Sequence, residues 1–68
     1  MADQVFKKIE VVGTSPESFS EATANAITKA SSTIHNLSWF EVTEQRGNIA
    51  EGKIRQFQVT IKVGFQVD

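Results

Sequence analysis

The sequence contains no cysteine, and this absence excludes disulfide bonds and thiolate-ligated metal sites. It has a single histidine, His35, which cannot build a zinc site without help from carboxylates. Small natural domains usually gain stability from disulfides, a metal or a partner subunit. Because a chain of 68 residues buries only about 60% of the surface that its unfolded form exposes, self-association is the expected source of the missing stability.

The sequence also lacks any block of like charge and any long apolar run. Seven basic against eight acidic residues give a net charge of -1, which argues against binding of DNA or RNA through phosphates. No stretch exceeds two consecutive apolar residues, so no membrane span is expected. The N-terminus lacks the basic-then-apolar order of a signal peptide. We therefore expect a cytoplasmic protein without nucleic-acid or membrane partners.

Hydrophobic patterning predicts three strands and one helix in a single domain spanning residues 1–68. The alternating run from Val5 to Val12 gives the first strand. Ser15 can cap a helix whose first position is Pro16, because the missing N–H of proline would be unpaired there. Apolar residues at three- and four-residue spacing then continue to Leu37 and form a single stripe rich in alanine.

Two further strands follow, from Trp39 to Gln45 and from Lys53 to Val67, with a turn predicted over residues 46–52. Their proximity in sequence predicts an antiparallel hairpin, which places the last strand in the middle of a three-stranded sheet. The fold class is therefore α+β, with the helix covering one sheet face. The other face carries Trp39 and Gln58, and a second subunit, a ligand or both must cover it.

The residue types of an enzyme site are present only as scattered carboxylates. Glu10, Glu41 and Glu44 can line up on a sheet face, but acidic residues on solvated strands are common. His35 near the helix end is explained by the helix dipole, which favours a cation there. Since no nucleophile with a base partner can be named, we do not expect an enzyme.

Trp39 has two interpretations, an aromatic residue of the core or an interface and a flat platform for a planar heterocycle. Gln58, on the same polar face, offers a donor beside an acceptor, which complements a ring edge with N–H beside C=O. The alternative for Gln58 is ordinary strand surface. Arg46 is either a solvated turn residue or a group that holds a phosphate or a carbonyl-rich ring edge.

The whole chain resembles the dodecins, small flavin-binding proteins of bacteria and archaea. The resemblance lies in the joint order of five blocks: Val5 to Ser15, Trp39-Phe40-Glu41-Val42, Arg46-Gly47, Gln56-Phe57-Gln58-Val59 and Val63-Gly64-Phe65. It implies a strand-helix-strand-strand subunit assembled into a hollow homododecamer. Flavins such as FMN, riboflavin or lumichrome would bind as stacked pairs between subunits, at a two-fold axis.

The resemblance also implies residue roles. The stacking tryptophan of the family falls on Trp39, its ring-edge glutamine on Gln58, and the arginine near the flavin on Arg46. Some members hold coenzyme A through basic residues, one of them close to the C-terminus. That position is Gln66 here, which leaves Lys7 and Lys29 as basic residues for such a ligand. The expected function is storage, buffering or photoprotection of flavins, and the alternative is a ligand-free structural or interaction module that oligomerises through the same face.

Overall fold

The computed structural model describes residues 3–67, which form three strands and one helix. In chain order these are β1 (Phe6–Ser15), α1 (Phe19–Ser31), β2 (Leu37–Ala50) and β3 (Lys53–Gln66). The strands form one antiparallel sheet in the order β1-β3-β2, so the last strand lies in the middle. The α+β class, the element order and the sheet topology predicted from the sequence are confirmed. Between residues 3 and 67, no helix is long and apolar enough to cross a membrane.

The core lies between α1 and the apolar face of the central strand. The small side chains of α1 let the helix lie close to β1. A Cβ on Gly13 of β1 would overlap the backbone oxygen of Ala22 and lie 2.7 Å from the Cβ of Ala26. Burial of this layer is the main hydrophobic contribution of the single chain. The core cluster consists of Ala22, Ala26, Val59, Ile61 and Val63, and Ala30 is buried as well.

The start of the helix differs from the prediction. Ser18, not Ser15, is the N-cap, and its hydroxyl oxygen accepts a hydrogen bond from the backbone N–H of Glu21 at 3.0 Å. Ser15 remains in β1 and is buried, and its hydroxyl oxygen accepts from the backbone N–H of Glu17 at 2.9 Å. Pro16 therefore lies in the turn before the helix, because strand pairing extends through Ser15.

The helix also ends earlier than the apolar stripe predicts. Ser31 is its last residue, and His35 lies exposed in the following connection. Asn36 adopts a φ of 64°, the left-handed region that asparagine tolerates better than most residues. The chain then enters β2 at Leu37, whose apolar side chain continues the core from the sheet instead of from the helix.

The turn between β2 and β3 is shorter than the predicted segment 46–52. Only Glu51 and Gly52 lie outside the strands, with φ values of 55° and 73°. Positive φ at both central residues is what a type I′ hairpin turn requires, and its twist matches that of the flanking strands. Gly47 lies within β2 opposite Phe57, so this glycine belongs to the sheet.

The hairpin projects beyond the rest of the subunit. Pairing of β1 with β3 ends at Phe57, so the segment between Asn48 and Gln56 is a two-stranded arm. Ile49 and Ile54 face each other on this arm and are 74% and 63% exposed. The radius of gyration is 14.3 Å, against about 11 Å expected for a compact chain of this length. An isolated two-stranded ribbon is marginal in water.

Candidate functional site

The sheet face opposite α1 carries an aromatic platform at one end. Trp39 lies directly over Gly64, where a Cβ would overlap the six-membered ring of the indole. Phe6 meets Trp39 edge to face, with ring centroids 5.2 Å apart and an interplanar angle of 65°. Trp39 nevertheless remains 39% exposed and Phe6 40% exposed. The absence of a side chain at position 64 thus lets the indole lie against the sheet and present aromatic surface outward.

A charged row crosses the face beside this platform. Lys8 donates a hydrogen bond to the carboxylate of Glu41 at 2.7 Å. This ammonium lowers the pKa of Glu41 below its usual range, first through the hydrogen bond and then through its charge, and Lys62 contributes in the same direction. Glu10 lies opposite Lys62 on the other side of the central strand. Opposite charges in adjacent strands stabilise a sheet without requiring a ligand.

Two of the three carboxylates that the sequence aligns on a sheet face have side-chain partners. Glu41 pairs with Lys8, while Glu44 accepts a hydrogen bond from the Thr60 hydroxyl at 3.2 Å and lies 3.5 Å from the Arg46 guanidinium. Both carboxylates therefore interact with other side chains on the surface of the sheet. His35 lies exposed in the connection after α1.

Arg46 and Gln58 form the other end of the face. They are direct partners across β2 and β3, and the Arg46 Nε–H donates to Gln58 Oε1 at 2.7 Å. The Gln58 amide in turn donates from Nε2 to Gln56 Oε1 at 2.8 Å. The sequence predicts Arg46 in a turn, whereas the structure places it within β2, because pairing of β2 with β3 continues as far as Ala50.

The platform and the amide do not meet within one subunit. Trp39 lies opposite Gly64, and Arg46 lies opposite Gln58, six residues earlier on β3. Six residues of strand span about 20 Å. A single ring cannot stack on Trp39 and pair with Gln58 of the same chain over that distance. A ligand that uses both side chains must receive them from different copies of the chain.

The two lysines predicted for coenzyme A lie on different elements. Lys7 is on β1 opposite Phe65, and Lys29 is in the last turn of α1, where its charge suits the helix dipole. Both are exposed, and neither belongs to an ion pair within residues 3–67. Gln66, at the position where some dodecins carry a basic residue, lies opposite Phe6.

Three contributors to this face were not singled out from the sequence, namely Gly64, Gln56 and Lys8. The two-residue alternation of β3 is the signal that could have found the first two, because it places both on the face of Gln58. The partner of Lys8 could not be found in this way, since its bond to Glu41 crosses the central strand diagonally. An open apolar groove of about 280 Å³ also lies beside Trp39, lined by Ile27, Leu37, Ser38, Phe40 and Val63.

Comparison with known proteins gives one consistent family. The sequence profile of the dodecin family matches residues 5–68. A dodecin from Thermus thermophilus is 43% identical over 65 residues, which cover 96% of this chain and 94% of that protein. The solved structure of a dodecin from Streptomyces davaonensis is 48% identical, with a TM-score of 0.94 and coverage of 98% of each chain.

One solved structure of lower sequence identity is named for calcium. It is the calcium dodecin of Mycobacterium tuberculosis, described as having a calcium-binding site, and it is 31% identical with a TM-score of 0.82. The match covers 94% of this chain and 91% of that one. Within the described part of the chain, no three histidine or acidic side chains come together as a metal site would require.

Proposed function

This chain belongs to the dodecin family, and we propose that it binds flavins noncovalently at interfaces between copies of itself in a homododecamer. Its role is storage, buffering or photoprotection of flavins in the cytoplasm, and it catalyses no reaction. FMN, riboflavin and lumichrome are the candidate ligands because all three carry a planar ring system. The observation that carries the proposal is Trp39, laid over Gly64 and still partly exposed on the uncovered face.

The aromatic platform supplies most of the affinity in this proposal. Stacking of a planar base on an aromatic side chain is worth about 1–3 kcal/mol, and an isoalloxazine ring offers a comparable flat surface. Phe6 fixes the indole from the side, so that little conformational freedom is lost when the ring stacks. A stacked indole can donate an electron to the excited flavin, which quenches its fluorescence and limits photochemistry.

Gln58 recognises the ring edge. Its primary amide presents a donor beside an acceptor, the complement of the N–H and C=O groups on the pyrimidine edge of a flavin. Arg46 belongs to the same end of the site through its bond to Gln58. If the guanidinium contacts phosphate, Arg46→Ala is expected to weaken the binding of FMN more than that of riboflavin. If it contacts the ring, the substitution is expected to weaken the binding of both ligands equally.

Self-association follows from the shape of the subunit. The 57 Å length, the protruding arm and the exposed apolar side chains leave too much surface uncovered for a stable isolated chain. The separation of Trp39 from Gln58 requires a second copy to complete the site. Sedimentation is expected to give the mass of twelve chains, and a monomer at micromolar concentration would refute the assembly.

Coenzyme A is a further ligand that we propose, held by Lys7 and Lys29. Both ammonium groups are exposed and are not engaged with carboxylates of the described chain. Phosphate groups attract such cations. Lys7→Ala and Lys29→Ala are expected to weaken the binding of coenzyme A, measured by calorimetry, and to leave the binding of riboflavin unchanged.

The competing function is a ligand-free structural module, in which Trp39 is only an interface anchor. The exposed apolar face alone supports that alternative equally well. Titration of riboflavin with the protein separates the two functions, because a stacked flavin loses its fluorescence and an unbound flavin keeps it. Strong quenching is expected, and unchanged fluorescence would favour the structural module.

Trp39→Ala is the decisive variant. Loss of the stacking energy is expected to weaken flavin binding about tenfold to hundredfold and to abolish quenching. Trp39→Phe is the matched control, because it keeps an aromatic face and should retain part of the affinity. Sedimentation of each variant shows whether the oligomer is intact. Binding as tight as in the wild type by an intact Trp39→Ala oligomer would refute the role of this residue.

A further inference from the structure

A row of hydrogen bonds on the uncovered face fixes the orientation of the Gln58 amide. The Arg46 guanidinium has only donors, so the oxygen of Gln58 must point toward it, and this bond measures 2.7 Å. The amide nitrogen then points toward Gln56, whose Oε1 accepts at 2.8 Å. A flipped Gln58 amide would set donor against donor at Arg46, and it would break the bond to Gln56 unless the Gln56 amide turned as well.

We propose that Gln56 is a positioning residue that determines which ring edge the site accepts, acting through Gln58. The inference rests on the proposed flavin function. An amide has two N–H donors and two acceptor positions. Arg46 occupies one acceptor position and Gln56 occupies one N–H, so that one donor and one acceptor remain free. Because Arg46 forbids a flip and Gln56 holds the amide nitrogen, the free donor and the free acceptor of Gln58 keep fixed positions toward the ligand.

The position of Gln56 makes this assignment more specific than ordinary strand surface. It lies two residues before Gln58 on β3, so both side chains project from the same face. Gln56 is also beyond the last paired residue of β1, and it is half-buried beside Gln58. Arg46 is held from its other side by Glu44, which lies 3.5 Å from its Nη1. The bonded row therefore runs from Glu44 through Arg46 and Gln58 to Gln56.

The consequence is selectivity, separate from affinity for a flat ring. Stacking on Trp39 accepts any planar heterocycle, whereas a donor and an acceptor held in fixed positions favour an edge that carries an N–H beside a C=O. Without Gln56, the Gln58 amide loses one of its two restraints and one N–H loses its acceptor. Riboflavin should then lose affinity, while an analogue methylated at the ring N–H should lose less, because it makes no use of the acceptor of Gln58.

The test compares riboflavin with N3-methylriboflavin by fluorescence titration of the assembled protein. The measured quantity is the dissociation constant of N3-methylriboflavin divided by that of riboflavin. Gln56→Met removes the acceptor while keeping the length of the side chain, and the ratio is expected to fall about tenfold. Gln56→Glu keeps an acceptor at the same reach and is expected to retain the wild-type ratio. Gln45→Met, a glutamine exchange on the opposite face of β2, is the control and should change nothing.

The outcomes separate this inference from the proposed function. If the wild-type protein quenches the fluorescence of neither riboflavin nor N3-methylriboflavin, the proposed function fails. If the wild type prefers riboflavin and the assembled Gln56→Met protein keeps the same ratio, the positioning role is wrong while the flavin function stands. A fall in the ratio for Gln56→Met that Gln56→Glu restores supports the inference. If Gln56→Met does not assemble, Gln56→Lys, which offers only donors there, replaces it with the same expectation.

Discussion

Gly64 controls whether Trp39 can lie against the sheet, and Gly64→Ala tests that contact directly. The methyl group of alanine would occupy the space now filled by three atoms of the indole six-membered ring. The indole must then shift outward or tilt, and its edge-to-face contact with Phe6 changes with it. The substitution therefore perturbs the platform without removing either aromatic side chain.

Two opposing contributions set the magnitude. Alanine is favoured over glycine inside a strand by about 0.5–1 kcal/mol. Forcing an additional methyl into a filled space costs about 1–3 kcal/mol. The overlap involves a rigid ring rather than the end of a flexible side chain, so the second contribution should dominate. We expect Gly64→Ala to lower the free energy of unfolding by about 1–2 kcal/mol, to weaken riboflavin binding and to reduce quenching.

A double-mutant cycle with Trp39→Ala isolates this effect. Once the indole is absent, the methyl group has room, and Gly64→Ala should become stabilising by about 0.5–1 kcal/mol. The coupling energy between the two positions should accordingly be about 1.5–3 kcal/mol. Urea unfolding followed by circular dichroism measures all four proteins, at equal chain concentration because oligomer stability depends on it. If Gly64→Ala stabilises the protein equally with and without Trp39, the indole does not lie over this glycine.

Two other contacts give predictions of the same kind. Gly13→Ala should destabilise the fold by about 3 kcal/mol or more, because the methyl meets the backbone oxygen of Ala22, and thermal unfolding that matches the wild type would contradict this packing. Glu41→Gln should lower the melting temperature slightly at pH 7, and the difference should vanish as the pH falls from about 6 to 3, because the lowered pKa of Glu41 means that its pairing with Lys8 stabilises only the ionised form. Added salt should reduce the same difference, since both side chains are exposed, and a difference independent of pH and salt would contradict the pairing.

The sheet could be predicted from the sequence because its central strand alternates without interruption. Val59, Ile61 and Val63 all point to the helix side, and this pattern alone orients β3. The alanine spacing in the helix predicts a closely packed layer, and the contact of Ala22 with Gly13 confirms it. These features depend on residues near one another in sequence or on strict periodicity, which is why local reasoning succeeds.

The element boundaries could not be predicted, because each depends on pairing with a distant strand. Ser15 and Ser18 are both good caps, and only the pairing of β1 with β3 decides between them. Gly47 and Gly52 are both good turn residues, and Gly52 is selected because positive φ there fits a two-residue hairpin turn. In each case the local sequence is compatible with two boundaries, and strand pairing determines which of them forms.

The candidate site was predicted as residue types but not as a geometry. The sequence places Trp39 and Gln58 on one face, and the register confirms that they share it. The register also separates them by about 20 Å along the strand, a distance that alternation alone does not reveal. Alternation determines the face and not the position along it, so a single-chain pocket was never implied.

In the proposed function, the same separation lets a small chain take part in binding a large planar ligand. One helix rich in alanine can cover only one face, and the remaining face carries a platform at one end and a bonded amide row at the other. Neither end alone encloses a ring, since a ligand site normally buries most of its ligand. In the proposed assembly, a second copy supplies the missing end and also buries apolar surface that one chain leaves exposed. In the proposed function, assembly and ligand binding use the same uncovered face, so a flavin that bridges two copies stabilises their association by mass action.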